Sequence, residues 1–138
     1  MAESTGKTVR VIVVTPEKAV LDETATLVIV PMFDGELGVL PGRAPLIGRL
    51  GAGELRLKSE VGVKRYFVEA GFVQVRSDVV TVLTAKALPA IDVTADKATA
   101  AVLDADALPS GNAVERANKT KARDRAAGMK KVAAKNAT

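Results

Sequence analysis

The sequence contains no cysteine, no histidine and no tryptophan. Without cysteine there are no disulfides, thiolate metal sites or thiol nucleophiles. Without histidine the usual general base, proton shuttle and zinc ligand are missing too. The only aromatic residues are Phe33, Tyr66, Phe67 and Phe72, which disfavours the stacking platforms that hold single-stranded nucleic acid. Apolar runs such as Val11-Ile12-Val13-Val14 fall far short of the ~20 residues that span a bilayer as a helix. Residues 1–7 are polar, with no charged-then-apolar leader. The chain is therefore expected to stay in the compartment where it is made and to meet a membrane only through a partner.

What is present is one domain's worth of chain, or one domain with an appendage, in 138 residues. A chain of that size buries about two-thirds of its unfolded surface without staples. Net charge is +4, unevenly placed. Residues 113–138 carry Arg116, Lys119, Lys121, Arg123, Arg125, Lys130, Lys131 and Lys135 against Glu115 and Asp124, a net +6, so the rest is −2. A near-neutral body with a basic tail suits either an acidic partner or a solvated helix face.

The most informative stretch is Gly35-Glu36-Leu37-Gly38-Val39-Leu40-Pro41-Gly42-Arg43-Ala44-Pro45-Leu46. Asp34-Gly35 signals a two-residue hairpin whose central positions need positive φ. Leu40-Pro41-Gly42-Arg43 reads as a type II turn, proline presetting the second position and glycine supplying positive φ at the third. Backbone geometry is the expected reason for Gly38, Pro41 and Gly42. Such a ribbon suits docking better than catalysis.

Short β-branched runs continue on both sides of it. Expected strands are 9–14, 19–21, 26–30, 38–40, 46–50, 54–58, 64–69, 72–75 and 79–83, punctuated by turn residues at 34–35, 41–42, 51–53, 60–62 and 76–78. Strands at this spacing predict a β-sandwich or barrel. Alternation of Leu55 and Leu57 with Arg56 and Lys58 gives a buried face and a wet one. After Ala87-Leu88-Pro89 alanine takes over. Asp92 or Thr94 can cap a helix running to about Ala107, with Ala98, Ala101, Val102, Ala105 and Leu108 on one face. Pro109-Ser110-Gly111-Asn112 breaks it, and a second helix from about Ala113 to Lys135 carries Ala122, Ala126, Met129 and Ala133. Gly128 should weaken that helix by up to ~1 kcal/mol relative to alanine. The fold class is thus mainly β plus α: a β-sandwich domain over residues 1–88, then a C-terminal two-helix hairpin over 89–138. With so few large apolar residues the hairpin is expected to be only marginally attached, hence movable.

No catalytic residue emerges. Ser77 and Ser110 sit in turns without a lysine at helical spacing. The carboxylate pairs Asp22/Glu23, Asp34/Glu36 and Asp104/Asp106 lack the ligand number that calcium takes, so no metal site is expected. Gly51-Ala52-Gly53 lacks phosphate-loop spacing and leads into a strand. The basic tail has no interleaved aromatics or nucleic-acid motif. A free-standing adaptor whose tail binds nucleic acid or another acidic surface stays as the rival reading.

The ribbon, with Leu50-Gly51-Ala52-Gly53-Glu54-Leu55, Phe67-Val68-Glu69-Ala70-Gly71-Phe72-Val73-Gln74-Val75 and Val79-Val80-Thr81-Val82-Leu83, closely resembles the epsilon subunit of F-type ATP synthases, called delta in mitochondria. The similarity covers about residues 8–108, with the motifs in matching order. It implies a non-catalytic rotor component, peripheral on the cytoplasmic face of the bacterial plasma membrane, that helps lock the gamma subunit to the c-ring. By that resemblance Asp34 and Glu36 lie where family members face the c-ring, and Arg43 stands where histidine is common. It also implies that the hairpin, when extended, brings its basic second helix to an acidic segment of the beta subunit and opposes ATP hydrolysis. Arg116, Lys119, Arg123 and Lys130 are the residues expected to do this. Some relatives bind ATP through Ile-Asp-x-x-Arg-Ala; here Ile91-Asp92-Val93-Thr94-Ala95-Asp96 has Ala95 in place of the arginine and a carboxylate after it, so no cofactor is expected. Nor is nucleic acid expected as a partner.

Overall fold

The computed structural model describes residues 7–136; the polar segment 1–6 lies outside the described residues. The β-branched runs form ten strands: β1 Val9–Val14, β2 Ala19–Ala25, β3 Leu27–Met32, β4 Gly35–Val39, β5 Leu46–Leu50, β6 Gly53–Ser59, β7 Gly62–Val68, β8 Gly71–Arg76, β9 Val79–Thr84 and β10 Ala87–Pro89. A single 3-10 turn, Ala90–Asp92, leads to α1 Ala95–Asp106 and α2 Ala113–Asn136. The strands hydrogen-bond in the order β10-β7-β6-β3-β5-β8-β9-β1-β2, with β4 paired to β3. Among the described residues only β1 and β9 run parallel.

β3 meets β5 at a single pair, Met32 opposite Leu50. There the sheet folds over into two layers, β10-β7-β6-β3-β4 and β5-β8-β9-β1-β2. Alternation decides what lies between them. Val28, Val30, Val39, Leu55, Leu57 and Val68 point inward from the first layer, and Val11, Val13, Val73, Val75, Val80 and Val82 from the second. Each such side chain contributes about 1.5–3 kcal/mol of transfer free energy. This is the β-sandwich followed by a two-helix hairpin that the sequence predicts.

The turns differ in detail. Met32 pairs with Gly35, so the first hairpin turns on Phe33-Asp34. Positive φ falls on the residue that closes the turn, Gly35 at +138°. A bulky phenylalanine is poorly placed to take positive φ, and the glycine two residues later takes it instead. The strand after it is accordingly Gly35–Val39 and not 38–40. Gly38 lies within that strand, where a methyl group would meet nothing closer than Leu27 at 3.8 Å; no turn geometry demands it. The primed two-residue turn is instead at Ser77-Asp78, with φ of 52° and 62° and no glycine. Leu40-Pro41-Gly42-Arg43 closes with Arg43 N–H donating to the Leu40 carbonyl at 3.3 Å and Gly42 at φ +86°. The Asp78 carboxylate accepts the Gly42 N–H at 2.7 Å, pinning one turn to the other.

The hairpin helices cover the outer face of the first layer. A second apolar cluster forms there from Phe67, Ala90, Val93, Ala98, Met129, Val132 and Ala133, with Ala52, Leu88 and Ala101 against it. Thr94 caps α1 by accepting the Lys97 N–H at 3.2 Å. Strand β10, Ala87–Pro89, was not expected; its three residues pair with Tyr66–Val68 of β7 and bring the chain to the hairpin.

The crossing from β7 to β8 is fixed by buried Thr84. Its hydroxyl accepts the Glu69 N–H at 3.2 Å, and the Glu69, Lys86 and Ala70 carbonyls surround it at 2.9, 3.1 and 3.3 Å. Thr84→Val keeps the shape and removes these bonds, so the unfolding free energy from urea titration is expected to fall by about 1–3 kcal/mol.

Candidate functional site

The sandwich presents two outer faces with opposite character. On the second layer, alternation sends Ile47, Arg49, Phe72 and Leu83 outward, since Arg49 pairs with Phe72 and Phe72 with Leu83 across β5, β8 and β9. Nothing among the described residues covers them: Ile47 is 76% exposed, Phe72 55% and Leu83 50%. Phe33, at the β3–β4 turn, lies beside this face, its N–H donating to the Arg49 carbonyl at 3.1 Å. The Arg49 guanidinium sits over the Phe33 ring, 5.1 Å from its centroid. One corner of the molecule therefore joins exposed apolar rings to charge.

Asp34 belongs to that corner; Glu36, whose neighbour Leu37 packs into the core, points to the outer face of the first layer. Asp34 is exposed in the turn, and Glu36 on β4 takes Arg56 as its partner at 3.3 Å. The structure does not bring Arg43 to them. It lies past the other end of β4, about 17 Å away by strand length, beside the Ser77-Asp78 hairpin. The ribbon is two separate corners joined by a strand.

On the first layer the outer face is covered, and there sequence reasoning missed the chief residues. Glu54, only 5% exposed at its side chain, points under α2. Its carboxylate meets Arg65 at 2.6 Å, Lys135 at 3.1 Å and Arg56 at 3.2 Å. Burial pushes the Glu54 carboxyl up, but hydrogen bonds from Arg65, Lys135 and Arg56 outweigh it and hold the group below its ordinary value. Glu69, held by Thr84, pairs with Arg125 of α2. Between these ties Gly128 lies against the β5–β6 loop, where a Cβ would come within 2.5 Å of the Ala52 carbonyl oxygen.

Gly128 is thus a close-approach residue, where the sequence had suggested only a weak point. The expected stripe is also incomplete. Ala126, Met129 and Ala133 are buried, but Ala122 is half-buried, and Gly128 and Val132 are buried beside them. The helix packs against α1 and the sandwich at once, so two adjacent faces are apolar. Attachment is therefore not marginal alanine contact alone. Two signals were available: β alternation puts Glu54 on the face of Arg56, and Arg125, Gly128, Val132 and Lys135 recur at helical spacing.

Of the basic stripe, Arg116, Arg123 and Lys130 are exposed and Lys119 is half-buried. Arg123 pairs with Asp106 of α1 at 3.1 Å. Arg116 and Lys121 line a cleft of about 1550 Å³ between α2 and the loops of the sandwich. Ile91 and Asp92 lie in the 3-10 turn and Ala95 opens α1, so the degenerate nucleotide motif forms the entry to the hairpin.

A family model described as "ATP synthase, Delta/Epsilon chain, beta-sandwich domain" matches residues 8–90. The ATP synthase epsilon chain of Rhodopirellula baltica is 50% identical over 121 residues, covering 88% of this chain and 94% of that protein. That of Alkalihalophilus pseudofirmus is 47% identical over 96 residues, 68% and 71% of the two chains. Among solved structures, a chain of the Euglena gracilis mitochondrial ATP synthase OSCP/F1/c-ring assembly superposes with TM-score 0.78 at 22% identity, covering 91% of this chain and 81% of its own length. A chain of the Tetrahymena thermophila mitochondrial ATP synthase central stalk and c-ring gives TM-score 0.74 at 14% identity, covering 93% and 97%.

Two outcomes test the covered face. Because the Glu54 carboxyl sits below its ordinary value, its stabilisation is fully present above the unfolded value, about pH 4.3, and is lost as pH falls through the lower folded value. The unfolding free energy of Glu54→Gln from urea titration should lie below wild type by about 1–2 kcal/mol near neutrality and converge with it in acid. Gly128→Ala should raise the helix content of an isolated α2 peptide, where only propensity acts. In the whole chain it should lower stability, because the new methyl meets Ala52.

Proposed function

This chain belongs to the ATP synthase delta/epsilon family, and from that premise we propose that it is a non-catalytic central-stalk subunit coupling the c-ring to gamma. The observation that carries this reading is the uncovered face of the second layer. Exposed apolar patches bordered by charge mark protein–protein contacts. Ile47, Phe72 and Leu83 form such a patch, and it runs into the charged corner of Asp34 and Arg49, with Glu36 around the edge on the other face. The apolar part seats gamma, and the carboxylates at the corner and around its edge hydrogen-bond the polar loops of the ring. Arg43 makes a second contact from the far end of β4.

The hairpin is the regulatory part. It lies down on the sandwich here, with α2 tied to Glu54 and Glu69. Extended along gamma, the stripe of Arg116, Lys119, Arg123 and Lys130 meets an acidic segment of beta and opposes ATP hydrolysis. Among the described residues no helix is long and apolar enough to cross a membrane, which fits peripheral attachment through the complex. We place that attachment on the cytoplasmic face of the bacterial plasma membrane.

Co-purification with gamma, insensitive to nuclease, tests the reading against a nucleic-acid adaptor. The double variant Ile47→Asp, Phe72→Asp should weaken gamma binding at least tenfold, roughly 1.4 kcal/mol. Its melting temperature should stay near wild type, since both side chains already face water. Undiminished binding would move gamma to another face. Glu36→Lys should lower ATP-driven proton pumping while leaving hydrolysis in place. For regulation, the catalytic head should hydrolyse ATP faster with residues 1–90 alone than with the full chain; equal rates would remove the inhibitory role.

A further inference from the structure

The two ends of the hairpin meet. The 3-10 turn Ala90–Asp92 is the short joint between β10 and α1, and the last described residue of α2, Asn136, lies against it. The Asn136 amide uses both of its ends. Its Oδ1 accepts the Arg65 Nη1–H of β7 at 2.9 Å. Its Nδ2 donates to the carbonyls of Ala90 at 2.5 Å and Val93 at 3.2 Å. The partners fix the orientation, since a guanidinium only donates and a carbonyl only accepts. One turn of 3-10 helix makes a single internal bond, here Val93 N–H to Ala90 O at 3.0 Å. Its remaining carbonyl capacity must find another donor, and Asn136 supplies it.

We propose that Asn136 is a clasp that locks the joint Ala90–Val93 and so holds the hairpin down on the sandwich. This deepens, and rests on, the reading of the hairpin as a movable regulatory element. To lift the hairpin, φ and ψ must change within the joint, because β10 is paired to β7 before it and Thr94 caps α1 after it. Such rotation re-aims the Ala90 and Val93 carbonyls and breaks their bonds to Asn136. Conversely, fraying of the last turn of α2 frees the joint. The clasp thus couples the last turn of α2 to the hinge 46 residues earlier. The neighbouring contact of Lys135 with Glu54 seats the same turn.

The absence of cysteine allows clean labelling. Spin labels on the exposed sites Val61→Cys and Leu103→Cys report the distance between sandwich and α1 in the full chain. With Asn136 intact a single distance is expected. Asn136→Ala should add a longer one, with the open population raised roughly tenfold, and amide exchange at residues 90–98 should rise in step. Lys131→Ala, exposed on the same helix, should change neither. A single unchanged distance and unchanged exchange in Asn136→Ala would overturn the clasp. If the isolated chain opens as expected while ATP hydrolysis by the assembled enzyme does not respond, the clasp stands and the regulatory reading of the hairpin falls.

Discussion

A carboxylate buried between a sheet and a helix must find partners on both, and Glu54 organises the hairpin layer by that requirement. It is almost inaccessible, and its cations come from its own strand, the adjacent strand and the last turn of α2. An unpaired charge in that position would be strongly destabilising. The helix is therefore held in one register along the sheet: sliding by a turn would withdraw Lys135 from Glu54. The close approach of Gly128 to Ala52 sets the height of the helix above the sheet. Charge fixes position along the groove and a missing side chain fixes depth.

The sandwich was legible because its signal repeats. Val28 and Val30, Leu55 and Leu57, Val73 and Val75 each state the same period-2 rule, and the buried core follows it. Turns were less legible because they depend on single residues. Asp34-Gly35 has the composition of a primed turn, yet the register places the turn one residue earlier, while Ser77-Asp78 adopts the primed form without glycine. Only strand pairing decides between such neighbours. The covered face was least legible. Glu54 and Arg56 read as residues of a wet strand face, and they are dry only because a helix some eighty residues later lies over them. The local patterns place each set on one face, but neither says that the two faces meet.

The two outer faces differ in how their side chains are satisfied. The face of the second layer keeps Ile47, Phe72 and Leu83 in water when the chain is alone. Such a face suits a lasting contact, since the transfer free energy of those side chains is realised only when a partner covers them. The face of the first layer is satisfied within the chain. Its apolar part is small, built around Phe67, Met129 and Val132, and the rest is ionic or hydrogen-bonded.

That composition bears on reversibility. When an ion pair opens into water, both charges regain hydration, so the net change is far smaller than the Coulomb energy lost. Lifting the hairpin returns Glu54, Arg65 and Asn136 to solvent in this way. Phe67 is different: it is fully buried under the helices, and no hydration compensates its exposure. The free energy that resists opening therefore resides mainly in a few apolar side chains, each of about 1.5–3 kcal/mol. The polar contacts instead fix the register in which the hairpin lies. An interface in which specificity and strength are carried by different groups can be weakened by deleting a methyl-bearing side chain without losing its register. Removing a polar clasp costs it register together with a smaller part of its strength.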